Sequence, residues 1–174
     1  MGNNIKQIND LTEDAFVALL GGIFEHSPWI AERAARRRPF ANRDALHAAM
    51  VAEIEAAGEA ALLGLIRAHP ELAGKAAMRK ELTDHSNREQ AGAGLTDCSR
   101  EEYATLLKLN ADYNAKFGWP FILAVKGYDR AGIIGEFSRR LQSDREQEKR
   151  ECLQQIYKIG AFRLADLIEE EGKE

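Results

Sequence analysis

Apolar residues recur along most of this chain at spacings of three and four, the period of a helix buried along one side. Phe16, Leu19, Leu20 and Ile23 set the first stripe, with Asp10 or Thr12 as its cap and Gly21-Gly22 weakening its end. Ser27-Pro28 reads as a cap followed by a first-turn proline, opening a helix that Pro39 stops. Asn42 caps the next, with Leu46, Met50, Ile54 and Ala57 on one face before Gly58, and Ala60 to Arg67 forms a short helix cut by Pro70. Ser99 with Glu102 is a capping box for a long helix that gathers Tyr103, Leu106, Leu107, Asn110 and Tyr113 and ends at Gly118. Gly127 and Asp129 restart the chain into a helix through Ile133, Ile134, Phe137 and Leu141. Ser143 with Glu146 repeats the capping-box spacing before a last helix whose apolar side takes Cys152, Ile156, Ile159, Phe162 and Ile168. Trp119 to Val125 departs from the period: a short, apolar run that reads as extended and buried. About eight helices, at most one short extended segment near 121–125 and no strand–helix alternation predict an all-α fold. A length of 174 residues predicts a single domain over 1–174.

One stretch fits this pattern poorly. Ala68 to Leu95, AHPELAGKAAMRKELTDHSNREQAGAGL, interrupts helical periodicity at His69-Pro70 and again at Asp84-His85-Ser86. It sets ionisable groups beside those interruptions, where loops and element ends hold chemistry. His69 alone reads as a histidine at a helix C-terminus, where its charge suits the dipole. Ser86 and Glu89 stand at capping-box spacing, which gives Glu89 a purely structural explanation. That explanation leaves out Gln90 and the run Gly92-Ala93-Gly94, where missing side chains let backbone approach a ligand closely.

Composition narrows the classes. A net charge of −4 argues against nucleic acid as a partner. No apolar run approaches the ~20 residues of a membrane span, and the N-terminus has no apolar signal region. Cys98 and Cys152 stand in no metal or redox spacing, which predicts a reduced, cytoplasmic setting and leaves a thiol nucleophile unmotivated. His26, His47, His69 and His85 form no ligand pair, so no metal is expected. Gly-Ala-Gly-Leu lacks the preceding strand and the Lys-Ser/Thr of a phosphate loop.

Five segments in order carry a resemblance: EHSPWIAERA (25–34), HPELAGK (69–75), SNREQAGAGL (86–95), NADYNAKFGWPFILAVKG (110–127) and IYKIGAFRLADL (156–167). Together they resemble the OHCU decarboxylases, the 2-oxo-4-hydroxy-4-carboxy-5-ureidoimidazoline decarboxylases of urate degradation, from about Asn9 to Leu167. The resemblance implies an all-α homodimer that needs no metal or organic cofactor and turns an anionic ureidoimidazoline into (S)-allantoin and CO2. It implies catalytic roles for His69, Glu89 and Arg163. It implies substrate contacts from Pro70, from Ser86, Asn87, Arg88, Glu89 and Gln90, and from the backbone of Phe121, Ile122, Leu123, Ala124 and Val125. The family motif FGFPF stands here as FGWPF, and Trp119 keeps a large aromatic.

Residue chemistry fits that reading independently. The substrate carboxylate sits on a carbon beside a C=N bond, which accepts the electrons left by CO2, so no cofactor sink is required. A histidine carries a proton near neutral pH, an arginine pairs a carboxylate through two N–H groups, and peptide amides fix carbonyls. Two rivals come from other classes. A non-catalytic module that binds purine-derived ureides predicts the same pocket without turnover. A hydrolase acting on the preceding hydroxyisourate requires an activated water and, by family, a β-rich fold.

Overall fold

A computed structural model describes residues 2–74, 77 and 80–170. Two compact units divide the chain, Met1–Ala68 with Tyr157–Glu174, and His69–Ile156.

The first unit opens with a two-residue strand β1 (Asn3–Asn4), then helices α1 (Ile5–Asp10), α2 (Glu13–Leu20), α3 (Trp29–Ala35), α4 (Arg43–Ala56) and α5 (Glu59–Ala68). Helix α1 is a feature the apolar periodicity missed, because it buries only Ile8; a capping box between Asn4 and Gln7 starts it. Thr12 and Asn42 cap α2 and α4 as their spacing predicts, each accepting from the N–H three residues on. Ser27 does not cap α3: its hydroxyl donates to the carbonyl of Glu25, and the helix starts after Pro28 with no side-chain cap. The core here is Phe16, Leu20, Phe24, Ile30, Leu46, Met50, Ile54, Ile66 and Leu164. Gly160 admits the Phe24 ring, since a Cβ there would lie 2.8 Å from it. Strand β2 (Ile168–Glu169) pairs parallel with β1, Asn3 opposite Ile168, an addition that leaves the class all-α.

The second unit holds α6 (Asp84–Gly92), a 3₁₀ turn at Leu95–Asp97, α7 (Arg100–Phe117), α8 (Arg130–Arg140) and the first half of α9 (Arg145–Leu167). The Ser99–Glu102 capping box starts α7, Gly118 ends it at φ +79, and Asp129 caps α8. Helix α7 buries Leu106, Asn110, Tyr113 and Phe117, while Leu107 stays exposed. The box before α9 is Asp144 with Gln147 rather than Ser143 with Glu146, the two side chains and backbone N–H groups bonding reciprocally at 2.9 and 3.3 Å. An Asp oxygen one residue on accepts as well as a Ser hydroxyl and adds charge that suits the helix start. Phe162, expected on the apolar side of α9, is exposed; Tyr157, Gly160, Arg163 and Leu164 take the buried positions. Residues 119–125 are buried and belong to neither helix nor sheet, as their apolar run predicts. No helix among the described residues is long and apolar enough to cross a membrane.

Candidate active site

Helix α5 ends at Ala68, and His69 follows it with its side chain buried. Pro70 then bars the helix from continuing. The turn after it is held by amide side chains. Gln90 of α6 accepts from the N–H of Ala73 at 2.9 Å and donates to the carbonyl of Glu71 at 3.1 Å. Asn110 of α7 donates to the carbonyl of Leu72 at 2.9 Å, and Asn114 to the Glu71 carboxylate at 2.8 Å. Lys75, inside the HPELAGK motif, lies outside the described residues.

Helix α6 is polar, yet it buries Ser86 and Gln90, one turn apart on one face, with Glu89 half-buried beside them. Its cap is Thr83, whose hydroxyl oxygen accepts from the N–H of Ser86 at 3.3 Å. This corrects the Ser86–Glu89 capping box. A cap at Thr83 puts Asp84 in the first turn, where negative charge is favoured. Ser86 is thereby turned inward, and Glu89 sits too far along the helix to complete a box. Asn87 and Arg88 face elsewhere: the Asn87 amide donates to the carbonyls of Lys80 and Leu82, and exposed Arg88 meets His85 at 3.3 Å. With Lys80, Gln90 and Thr96 they line a shallow cleft of about 200 Å³ that includes neither His69 nor Ser86.

The strip Phe121 to Val125 is fixed from behind. Arg140, wholly buried, donates to the carbonyl of Ile122, stacks over Phe121 at 4.2 Å and pairs with buried Glu148 at 2.6 Å. Tyr113 donates to the same Glu148 oxygen at 2.6 Å and accepts from the Trp119 indole at 3.1 Å. Phe121 stacks on Phe137 with ring centres 3.8 Å apart. Gln155 accepts from the N–H of Ala124 at 3.0 Å. The N–H groups of Phe121, Ile122, Leu123 and Val125 meet no acceptor among the described residues. Buried peptide donors are seldom left so. Burial pushes the Cys152 thiol up to about 11, which disfavours the thiolate at neutral pH. Burial, with Cys152 and Glu148 beside it, raises the Tyr113 hydroxyl as well and keeps it protonated.

Sequence reasoning missed Arg140, Glu148 and Gln155. The signal was present: Arg140 continues the Ile133–Phe137 stripe, and Glu148 sits one turn before Cys152 on the buried side of α9. A charge in phase with an apolar stripe implies a buried partner.

Arg163 lies in the first unit, on the second half of α9. It is buried, donating to a Glu25 carboxylate oxygen at 2.8 Å and to the carbonyl of Ile23 at 3.2 Å. Glu25 is buried as well and belongs to the EHSPW motif.

A profile of the OHCU decarboxylases matches residues 9–165. The chain belongs to the OHCU decarboxylase family. It is 41% identical over 167 residues to the 2-oxo-4-hydroxy-4-carboxy-5-ureidoimidazoline decarboxylase of Haloferax volcanii, covering 96% of this chain and 97% of that one. It is 44% identical over 169 residues to a uric acid degradation bifunctional protein of Bacillus subtilis, covering 97% of this chain but 33% of that protein, so it spans about a third of that relative's length. Among solved structures, an (S)-allantoin synthase is similar at 27% identity and a TM-score of 0.77, over 95% of this chain and 54% of that one. An OHCU decarboxylase crystallised in the presence of (S)-allantoin shares the fold, at 18% identity and a TM-score of 0.68 over 92% of this chain and 100% of that one.

Within this family member, the Arg140–Glu148 pair gives a stability prediction. Arg140→Leu leaves a carboxylate buried without its cation and is expected to destabilise the protein by about 3–5 kcal/mol, read by urea unfolding. An unchanged midpoint would show that the pair contributes nothing to stability.

Proposed function

We propose that this protein decarboxylates 2-oxo-4-hydroxy-4-carboxy-5-ureidoimidazoline to (S)-allantoin and CO2, as a carboxy-lyase of urate degradation. The observation that carries the reading is the strip 121–125. Apart from that of Ala124, its N–H groups meet no acceptor among the described residues, which suits a ligand built almost wholly of carbonyl and N–H groups. Family membership over 9–165 supplies the substrate class.

In this reading the C–C bond to the carboxylate breaks and its electron pair moves toward the adjacent C=N nitrogen, which takes a proton. CO2 leaves. A proton then returns to the ureido-bearing carbon from one face, and the hydroxyl gives up its own to become a carbonyl. His69 carries the proton that sets the stereochemistry. Ser86, Glu89 and Gln90 on the inward face of α6 hold the ureido group, with Pro70 packing against the ring. The backbone of Phe121 to Val125 fixes the carbonyls. Asn87 and Arg88 belong to the same set by resemblance, and their side chains meet Lys80, Leu82 and His85. A cytoplasmic homodimer that works without a metal or organic cofactor belongs to the same reading.

Arg163 is assigned a role toward the substrate carboxylate by the resemblance alone. Its buried pairing with Glu25 gives it a structural role that needs no substrate. Arg163→Lys separates the two, because lysine keeps the charge and loses the planar fork. A rise in KM or fall in kcat of about tenfold or more is expected where the fork meets substrate, and wild-type kinetics would leave Arg163 as a structural residue.

The reading is tested with urate, urate oxidase and hydroxyisourate hydrolase, with and without this protein, followed by circular dichroism of allantoin. Faster formation of optically active allantoin is expected. Racemic product at the spontaneous rate, from folded protein, would leave a ureide-binding module.

His69→Asn is expected to lower kcat by about 10²–10⁴, equivalent to roughly 3–5 kcal/mol of barrier, with little change in stability. His85→Asn is the control and should stay within about tenfold of wild type. Wild-type turnover and stereochemistry in His69→Asn would assign the proton to another group.

A further inference from the structure

We propose that Asn110 is a positioning residue for this chemistry, holding the His69–Pro70 turn in register through its side-chain amide. The proposal rests on the role given to His69 above. Asn110 is buried on the apolar face of α7, between Leu106 and Tyr113. Its Nδ2 donates to the carbonyl of Leu72 at 2.9 Å, which fixes the orientation of the amide, since only the NH2 end can meet a carbonyl. Its Oδ1 is buried and accepts from no described residue. A half-satisfied amide stabilises a core poorly, because the unpaired atom costs free energy that an apolar side chain of similar volume would not. Folding accounts for the donor end of this amide and leaves its acceptor end unexplained.

What the amide does is local and specific. Gln90 takes the peptide groups on either side of Leu72, donating to the Glu71 carbonyl and accepting from the Ala73 N–H. Asn110 takes the Leu72 carbonyl between them. Three consecutive residues just after His69-Pro70 are thus held from two helices. Ala73 needs that grip. Its φ of +52 is in the left-handed region, which disfavours any residue with a Cβ. Such a conformation persists only where its surroundings over-determine it. Releasing Leu72 lets Ala73 relax toward an ordinary φ and moves the turn that carries His69. Asn114, by contrast, reaches the turn only through the side chain of exposed Glu71, its other bond being to the Asn110 carbonyl within α7.

The test compares Asn110→Leu, Asn114→Ala and the double variant Asn110→Leu/Ala73→Gly in the coupled assay, with thermal unfolding alongside. In Asn110→Leu, kcat is expected to fall about tenfold or more, the size of effect that a small displacement of a reacting group produces. KM should stay within about threefold and the melting temperature within a few degrees, since the effect is confined to the chemical step. Asn114→Ala should keep kcat within about twofold. Adding Ala73→Gly should recover about threefold or more of the lost kcat, because glycine holds a positive φ without strain. Wild-type kcat in Asn110→Leu overturns the proposal. So does a loss of kcat that follows a collapsed melting temperature and is not rescued by the glycine. Amide exchange at Ala73, followed by NMR, reads the clamp without any substrate: it should be about tenfold faster or more in Asn110→Leu, and unchanged exchange overturns the proposal whatever the turnover. A wild-type protein that exchanges as expected but makes no allantoin would fail the decarboxylase reading and leave the clamp standing.

Discussion

A buried stretch of chain that is neither helix nor sheet must find partners for its peptide groups elsewhere, and the second unit is arranged around that constraint. Two such stretches run through it, the turn after His69-Pro70 and the strip 119–125. In both, polar side chains from neighbouring helices supply some of the missing bonds. Gln90 and Asn110 serve the turn; Arg140 and Gln155 serve the strip. Amides and guanidinium groups suit this task because they offer several donors or acceptors at fixed angles. They also carry a cost. Each brings a polar or charged group inside, and the structure answers with Glu148 against Arg140. The polar content of this core is the consequence of burying irregular backbone, which has no helix ladder to take up its peptide groups.

Each unit holds a fully buried arginine–glutamate pair, Arg140–Glu148 in the second and Arg163–Glu25 in the first. Pairs of this kind add little net stability over apolar packing of the same volume, since desolvation offsets the attraction. Their effect is on specificity: each guanidinium also binds a backbone carbonyl, of Ile122 in one case and Ile23 in the other. A leucine would fill the space and leave those carbonyls unfixed. The pairs therefore act as joints between a helix and a loop.

The sequence was most legible where a rule is local. Asn42, Thr12, Ser99 with Glu102, Gly118 and Asp129 mark helix ends where they were expected, because a cap is decided by a few neighbouring residues. Legibility failed where two local rules competed. Thr83 and Ser86 can both cap α6, and Asp144 and Ser143 can both start α9; Thr83 and Asp144 are the ones used, and spacing alone does not choose between the candidates. It failed again where tertiary packing decides. Phe162 and Arg163 are adjacent, and periodicity alone favours burying the phenylalanine, yet the arginine goes inside because Glu25 and the Ile23 carbonyl await it. The candidate site was legible mainly through motif resemblance. Its supporting residues were not, because Asn110 and Arg140 look like ordinary members of helix faces until the loops they hold are seen.

Helix α7 ties these observations together. Asn110 holds the turn after His69-Pro70, while Tyr113 meets Trp119 and the Phe121 ring at the start of the strip. Three residues along a helix amount to about 4.5 Å of rise, nearly one full turn, so the two side chains leave the same face one above the other. Both irregular stretches are therefore referenced to a single rigid element rather than to each other through flexible loops. A short, densely polar ligand tolerates little error in the relative placement of its partners, because each mismatched buried group is left unpaired. Anchoring both stretches to one helix face is a direct way to hold that placement. The capping box at Ser99–Glu102 and the left-handed Gly118 then have a purpose beyond helix stability: they fix where α7 begins and ends, and so where its two polar side chains lie.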